Sequence, residues 1–260
     1  MNTIEVKRIL DIHSAVIYLD RPDRMNSIST ELATELLQAL NELEDDPEIW
    51  CVALTGRGDK AFCTGADLKE RKDMDHMAMK KQRALFVKLF ERTSFFPKPL
   101  VAFVNGFAFA GGFELALGCD YIIASDNATF ALTEVSLGII PAGGGTQNLS
   151  RLIGKSKAKE IILTAKRFDV QEAQALGAVN RVCAAADLEQ EMLKELKAIT
   201  KNAPLALQQA KRSINYGIDQ DLHTGLTLEA ECYNVLLKTE DRDEGLRAFN
   251  EKRPPVYRGK

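Results

Sequence analysis

Short apolar runs and helical spacings of apolar residues alternate along the first two-thirds of the chain. Four runs of mostly apolar, strand-forming residues predict strands at 15–19, 51–55, 100–104 and 120–124. Leucines between positions 32 and 43 recur at helical spacing, which predicts a helix from Ser29 or Thr30 to about Asp46. The same spacing predicts two further helices at 77–93 and 146–153.

The last third of the chain has a mostly helical pattern. This pattern extends from about Ala184 to Ala248 and breaks at Asn202–Pro204 and near Gly217. Strands that alternate with helices, followed by helices alone, predict an α/β fold with a helical C-terminal section. Glu251–Pro255 predicts an extended tail that is able to pack on a partner subunit.

Composition and charge exclude several functional classes. The 260 residues carry 34 Lys and Arg against 37 Asp and Glu, a net charge of −3, which opposes a dedicated non-specific nucleic-acid binder. Five cysteines without a CxxC pair and three histidines without metal-ligand spacing predict neither a disulfide framework nor a metal site. No apolar stretch approaches the roughly 18 residues of a membrane span, and the N-terminus lacks a signal-peptide pattern. We therefore expect a cytoplasmic protein without membrane association.

Three familiar motifs are incomplete in this chain. Gly56–Ala61 fits a loose dinucleotide-binding pattern, but the residues after it are a poor helix opening for a pyrophosphate, so a plain turn is the preferred interpretation. Gly154–Ser156 resembles the end of a phosphate-binding loop, yet the position of the required leading glycine is Leu149. No GxSxG nucleophile motif occurs. Cys63 and Cys119 have no histidine nearby in sequence and are interpreted as buried structural thiols.

Three glycine-containing segments remain, and two of them contain an isolated glutamate. The segments are Ala61–Lys69, Val104–Leu115 and Leu132–Thr146. Small residues at 110–112 follow a strand and begin an apolar helix, so their N–H groups are free donors at the positive end of a helix dipole. Glu114 and Glu134 have apolar neighbours, which raise a carboxyl pKa and suit proton transfer near neutral pH. Taken singly, each glutamate is better explained as an ordinary surface or capping residue.

Together the segments resemble the enoyl-CoA hydratase/isomerase (crotonase) superfamily over nearly the whole chain. Val101–Tyr121 fits the family signature, Phe62–Leu68 is similar to its first oxyanion-hole loop, and Glu134–Thr146 is similar to its second catalytic segment. The resemblance implies an α/β fold in which a ββα spiral core over 1–195 holds the acyl-CoA site. A helical region over 196–260 would serve trimerisation and pocket cover. The resemblance also implies a homotrimer or homohexamer, with CoA as part of the substrate and no separate cofactor or metal.

The same resemblance implies an active site. The backbone N–H groups of Ala66 and Gly111 would bind the thioester oxygen, and Glu114 and Glu134 match the two glutamates that hydratases of the family use. The acyl-CoA pocket would be lined by Ala66, Asp67, Leu68, Lys69 and Gly111. The implied reaction adds water across the 2,3 double bond of a 2-enoyl-CoA to give a 3-hydroxyacyl-CoA. In it, Glu114 mainly activates water and Glu134 mainly protonates Cα.

Other functions within the superfamily stay open at this point. Δ3,Δ2-enoyl-CoA isomerases use one working glutamate, and residues 66–71 and 251–260 most resemble methylglutaconyl-CoA hydratases. RNA-binding relatives use a basic helix, whereas the matching helix 30–46 carries six acidic residues and no basic one, which phosphate would repel. A silent scaffold would lack the glutamates or the glycine donors, and this chain keeps both.

One stretch of the acidic chain is locally basic. Between positions 69 and 98 the chain has nine basic residues and four acidic ones. The Lys and Arg residues are at 69, 71, 72, 80, 81, 83, 88, 92 and 98. This excess would attract the phosphates of CoA, and an ordinary solvated helix face explains it about equally well. The chain departs from the family pattern at Ala110, where a third glycine is frequent, and at Asn148, where arginine is common.

Overall fold

The computed structural model describes residues 1–260 and contains ten strands in two sheets. The strands are β1 (Ile4–Ile9), β2 (Ser14–Leu19), β3 (Cys51–Gly56), β4 (Ala61–Cys63), β5 (Leu100–Val104), β6 (Phe107–Phe109), β7 (Tyr121–Ser125), β8 (Thr129–Ala131), β9 (Arg167–Asp169) and β10 (Arg181–Cys183). The large sheet has the order β1-β2-β3-β5-β7-β10, and the small sheet has the order β4-β6-β8-β9. Neighbouring strands are parallel except at β1–β2 and β8–β9.

Eleven α-helices complete the fold. They are α1 (Thr30–Asp45), α2 (Leu68–Lys72), α3 (His76–Ser94), α4 (Gly111–Gly118), α5 (Gly145–Ile153), α6 (Lys155–Leu163), α7 (Val170–Ala175), α8 (Leu188–Thr200), α9 (Pro204–Gly217), α10 (Leu222–Leu236) and α11 (Glu240–Glu251). The hydroxyl of Ser29 accepts a hydrogen bond from the N–H of Leu32, so Ser29 rather than Thr30 is the N-cap of α1. None of the helices combines the length and the apolar character that crossing a membrane requires.

The chain between β3 and α5 repeats one structural unit three times. In each unit a strand joins the large sheet, the next strand joins the small sheet, and one or two helices follow. The units are β3-β4 with α2 and α3, β5-β6 with α4, and β7-β8 with α5. This arrangement confirms the expected ββα spiral with a helical C-terminal region.

The inner strands of the large sheet are buried on both faces, which explains why they are continuous apolar runs. Every residue of β2, β3 and β5 is buried. One face packs with α1, α3 and α4 in the main core, and the other face is covered by Leu188, Met192 and Leu196 of α8. Parallel strands covered on both faces lose the alternation of apolar and polar residues, as this sequence does.

The four predicted strands are confirmed to within one residue, and six others were not predicted. The strands of the small sheet and β10 have three residues each, which is too short for a periodic pattern. Strand β1 lies at the edge of the large sheet with only Ile4 buried, so its sequence carries a weak apolar signal. The small sheet therefore depends on its position in the spiral more than on local sequence preference.

The C-terminal helices follow the predicted breaks and leave a tail that contacts its own chain. Helix α9 begins at Pro204 and packs against α10. The N–H groups of Arg258 and Gly259 donate to the Asp241 carboxylate on α11 at 2.7 and 2.8 Å. The division expected at residue 195 lies within α8, and the roles of the helical region in trimerisation and pocket cover stay predictions.

Candidate active site

A cavity of about 730 Å³ lies between α3, the start of α4 and the chain from 133 to 143. It brings together the four predicted catalytic groups, because Ala66, Gly111, Glu114 and Glu134 all line it. The remaining wall is largely apolar. The four groups are therefore able to act on one molecule bound in this cavity.

Ala66 and Gly111, whose main-chain N–H groups are the expected oxyanion donors, both line the cavity. Ala66 forms a single parallel bridge with Ile28, in which the N–H of Ile28 donates to Gly65 O at 2.7 Å. The N–H of Ala66 therefore points away from Ile28, while Gly111 is the first residue of α4 and its N–H has no acceptor within the helix. A Cβ on Gly65 would lie 3.0 Å from the Gly111 nitrogen, so the two loops are in direct contact. This pair of donors suits a developing oxyanion.

The backbone at the start of α4 is strained and closely packed. Ala110 is the N-cap residue with φ 49° and ψ −127°, a left-handed conformation that L side chains rarely adopt. The frequent family glycine at this position has a physical reason, since glycine adopts such angles freely. A Cβ on Gly112 would lie 2.0 Å from Cys63 O, so only glycine lets α4 approach β4 this closely.

Glu114 is buried and accepts two main-chain hydrogen bonds. Its side chain is 3% exposed, and Oε1 accepts from Gly143 N at 2.6 Å and from Gly145 N at 2.8 Å. Oε2 forms no hydrogen bond with the protein and is available to a molecule bound in the cavity. Burial raises the pKa of Glu114, while the two N–H groups and the charge of Arg83 oppose that rise.

Glu134 is buried without any hydrogen-bond partner. It begins a 3₁₀ turn at 134–137 and is 7% exposed, and neither carboxyl oxygen has a partner in the protein. Burial, with a contribution from the charge of Glu114, raises the pKa of Glu134 to about 7. A carboxyl of this kind holds a proton for about half of the time at neutral pH and is ready to donate it.

Some of the predicted pocket residues line the cavity, and the others hold the neighbouring chain in place. Ala66 and Leu68 line the cavity, whereas Asp67 and Lys69 lie outside its wall. The Asp67 carboxylate accepts from Arg21 at 2.8 Å and from the N–H of Lys69 at 3.0 Å, which fixes the chain directly after Ala66. Although burial opposes it, these contacts hold the pKa of Asp67 below its ordinary value.

The basic excess between 69 and 98 does not act as one patch. Only Arg71, Lys80 and Arg83 line the cavity. Lys98 is buried and donates to two backbone carbonyls at the end of α1, and Arg92 pairs with Glu44. Helical geometry turns one stripe of α3 to the cavity and other stripes elsewhere, and attraction of CoA phosphates by this stretch stays a prediction.

The segment that contains the glycine run at 143–145 was singled out in the sequence, but the binding of these glycines to Glu114 was not predicted. Both Gly143 and Gly145 donate to Glu114, and side chains there would collide with the site. A Cβ on Gly143 would lie 2.6 Å from the Phe90 ring, and one on Gly145 would lie 3.0 Å from Glu114 Oε1. The two residues are 29 and 31 positions from Glu114, so only the tertiary fold brings them together.

An α/β spiral with two adjacent main-chain donors and two buried carboxyl groups in one cavity defines a class of enzyme. Such an enzyme stabilises negative charge on a carbonyl oxygen while it moves protons at neighbouring carbons. No group of three or more His, Cys, Asp or Glu is arranged to hold a metal ion. That the reaction needs no added cofactor stays a prediction.

Comparisons with known proteins specify the family. The model of the enoyl-CoA hydratase/isomerase family matches residues 13–260. The YngF protein of Bacillus subtilis is 46% identical over 252 residues, 95% of each chain. The short-chain-enoyl-CoA hydratase of Clostridium acetobutylicum is 41% identical over 239 residues, 92% of each chain. The crystal structure of an enoyl-CoA hydratase from Bacillus anthracis has a TM-score of 0.96 and 42% identity, and the match covers 99% of this chain and 100% of that one.

The chain therefore belongs to the enoyl-CoA hydratase/isomerase family. The expectations of a crotonase-type fold and of an enzyme of the enoyl-CoA hydratase type are confirmed. Proteins of this family act on acyl-CoA thioesters.

Proposed function

We propose that this chain hydrates the 2,3 double bond of a short 2-enoyl-CoA to give a 3-hydroxyacyl-CoA. The observation that carries the proposal is the placement of Glu114 and Glu134 in the cavity that also receives the N–H groups of Ala66 and Gly111. Two proton-transfer groups and an oxyanion site are what addition of water to a conjugated thioester requires.

The main-chain donors act on the thioester oxygen. When water attacks Cβ, negative charge moves through Cα to the carbonyl oxygen and gives an enolate-like intermediate. The N–H groups of Ala66 and Gly111 donate to that oxygen, and the dipole of α4 adds to the stabilisation. The loss of one donor in comparable sites costs roughly 3–4 kcal/mol of transition-state stabilisation.

The two carboxyl groups take different parts. Glu114 has Oε1 held by two N–H groups, so its ionised form is supported and Oε2 takes the proton from water as the C–O bond forms at Cβ. Glu134 supplies the proton to Cα, since neither of its carboxyl oxygens has a hydrogen-bond partner and burial raises its pKa to about 7. One O–H bond of water and the π bond between C2 and C3 break, one C–O and one C–H bond form, and the carboxyl groups return to their starting states by proton exchange with solvent.

Hydration is favoured over isomerisation because both glutamates are present in one cavity. A Δ3,Δ2 isomerase needs a single carboxyl that carries a proton from C2 to C4, and the second buried carboxyl would have no function in it. Burial of an unpartnered carboxyl is unfavourable, so Glu134 is best explained by a chemical role.

A short acyl chain is supported by the cavity wall and by one relative. The rings of Phe86 and Phe90 line the cavity and take up space in its apolar part, and Phe90 lies beside Gly143. The relative from Clostridium acetobutylicum, 41% identical, is a short-chain-enoyl-CoA hydratase. A methylglutaconyl-CoA substrate would add a carboxylate to the acyl group, so it forms one arm of the test.

The decisive experiment follows loss of the conjugated thioester absorbance with crotonyl-, hexenoyl- and methylglutaconyl-CoA. We expect Glu114→Gln and Glu134→Gln each to lower turnover of the best substrate by about 10²–10⁴-fold. The control Glu91→Gln removes an exposed carboxyl of α3 outside the cavity and should leave turnover unchanged. Wild-type turnover in both cavity variants, or faster conversion of a 3-enoyl-CoA than hydration of any 2-enoyl-CoA, would refute the proposal.

A further inference from the structure

The guanidinium of Arg83 reaches from α3 to the loop that holds Glu114. Its Nη2 donates to the carbonyl oxygen of Ala142 at 2.8 Å. The carbonyl of Ala142 and the N–H of Gly143 are the two ends of one peptide unit, and that N–H donates to Glu114 Oε1 at 2.6 Å. Arg83 is thus connected to the buried carboxylate through a single rigid plane.

We propose that Arg83 is a positioning residue that orients and polarises the 142–143 peptide toward Glu114. The inference rests on the proposed function in one respect, namely that Glu114 activates water. Arg83 itself touches neither the water nor the double bond in this scheme, and it acts through the peptide.

The physical effect has two parts. A cationic donor on a carbonyl oxygen strengthens the N–H donor at the other end of the same peptide, because hydrogen bonds in a chain polarise one another. The contact also ties the loop to α3, so the N–H of Gly143 keeps its direction while substrate enters. The positive charge of Arg83 lowers the pKa of Glu114 in opposition to burial, in agreement with this geometry.

The neighbouring charged groups show why the effect belongs to Arg83. The other titratable groups that line the cavity are Arg71, His76, Lys80 and Glu134. Arg71 donates to Gln82 and lies over the Phe86 ring, and Lys80 has no hydrogen bond or ion pair with the protein. Arg83 is the basic side chain of this group that bonds to the 142–145 loop.

A simpler role for Arg83 would be attraction of CoA phosphates at the cavity entrance. Lys80 lies on the same side of α3, lines the same cavity and carries the same charge. Loss of either charge would then raise KM in a similar way. A positioning role instead predicts that Arg83 alone changes kcat and its pH dependence.

The experiment compares Arg83→Gln, Arg83→Lys and Lys80→Gln for crotonyl-CoA hydration across pH. We expect Arg83→Gln to lower kcat by roughly tenfold to a hundredfold and to move the acid limb of kcat up by roughly 0.5 pH unit. Arg83→Lys keeps a cationic donor and should recover part of the kcat. Lys80→Gln should raise KM while the acid limb stays in place, and Lys81→Gln, an exposed change outside the cavity, is the control for charge loss on α3.

A second measurement does not depend on activity. Hydrogen exchange of the 142–145 backbone should become roughly tenfold faster in Arg83→Gln and stay unchanged in Lys80→Gln. If the wild type hydrates no enoyl-CoA, the proposed function fails while exchange still decides whether Arg83 holds the loop. If the wild type is active and Arg83→Gln changes only KM, or leaves the exchange and the acid limb unchanged, the positioning role is overturned.

Discussion

Glu114 and Glu134 line one cavity but differ in what surrounds their carboxyl oxygens. Two main-chain N–H groups stabilise the charged form of Glu114, whereas neither carboxyl oxygen of Glu134 has a hydrogen-bond partner. Pairs of carboxyl groups whose environments separate their pKa values are suited to act as base and acid. The assignment of Glu114 to water and Glu134 to Cα therefore has a physical basis in this site.

The raised pKa of Glu134 also predicts how stability depends on pH. Burial raises it from 4.5 to about 7, so the folded state binds this proton more tightly than the unfolded state does. The resulting contribution to stability is fully present below about pH 4.5 and is lost as pH rises through about 7. The loss amounts to about 3 kcal/mol at 1.36 kcal/mol per pKa unit.

The variant Glu134→Gln should remove this pH dependence. We expect its Tm to match that of the wild type near pH 4 and to exceed it above pH 8, because glutamine never ionises. Thermal unfolding of both proteins from pH 4 to 9 measures the difference, with Glu91→Gln as the exposed control. Equal Tm values for wild type and variant at pH 9 would show that Glu134 ionises at its ordinary pKa.

The strained Ala110 gives a stability prediction of its own. A residue with φ 49° and ψ −127° costs on the order of 1–3 kcal/mol when it has a side chain. Glycine relieves this cost, but its greater backbone freedom in the unfolded state lowers stability by about 0.4–1 kcal/mol. Ala110→Gly should therefore raise the free energy of unfolding by about 1 kcal/mol, as measured by urea denaturation. A destabilised variant would mean that packing of the Ala110 methyl outweighs the strain.

At the scale of elements, the sequence pattern predicts the bounds of α3 but not the part that α3 has in the cavity. Its helical spacing predicts 77–93, and the helix spans His76–Ser94. The side of α3 that faces the cavity combines charged and apolar residues. A pattern of apolar positions alone therefore does not predict that this side lines a site. The contact of Arg83 with Ala142 crosses 59 positions and depends on how the spiral closes.

The candidate site was predicted from three segments taken together, whereas the small sheet that supports it was not predicted. Glu114 and Glu134 taken singly are better explained as surface or capping residues, and only their place in the family-like segments indicated the site. Strands β4, β6 and β8 have three residues each and form only because each unit of the spiral adds one strand beside the last. Local propensity is weak over such lengths, and tertiary pairing decides the conformation.

The contact between α4 and β4 can be tested by one added methyl group. A Cβ on Gly112 would lie 2.0 Å from the backbone oxygen of Cys63, so Gly112→Ala must displace the helix. We expect a loss of about 3 kcal/mol of stability and a large loss of turnover, because Gly111 moves relative to Ala66. Chemical denaturation and the crotonyl-CoA assay measure the two effects.

Gly118→Ala is the matched control on the same helix. Its Cβ would meet the Ser94 hydroxyl at 3.2 Å and the Thr93 methyl at 3.3 Å, both side-chain atoms and both much farther away than the 2.0 Å backbone contact at Gly112. Alanine also has the better helix propensity. A small effect of Gly118→Ala beside a large effect of Gly112→Ala would attribute the loss to the close approach, whereas equal effects would contradict it.

At the scale of the whole molecule, the C-terminal helices expose an extensive apolar surface. Seven large side chains of α9, its C-cap, α10 and α11 are at least 52% exposed, namely Ile214, Ile218, Leu222, Leu226, Tyr233, Val235 and Phe249. Monomeric proteins rarely leave such side chains grouped in solvent. The surface supports the trimer or hexamer that the family resemblance implies, while the C-terminal tail is already bound to Asp241 of its own chain.

Assembly through this surface predicts a solution mass of three or six times 28.8 kDa. Leu222→Glu places a charge among the exposed apolar side chains and should shift the protein toward the monomer, because burial of an unpaired charge is costly. Light scattering after size exclusion measures the mass, and Glu229→Gln on the same helix is the control. Since every residue that lines the cavity lies between positions 28 and 143, outside the C-terminal helices, the monomer should keep the cavity and lose stability first. A wild-type protein of 28.8 kDa at micromolar concentration would show that the exposed apolar side chains of α9–α11 have another use.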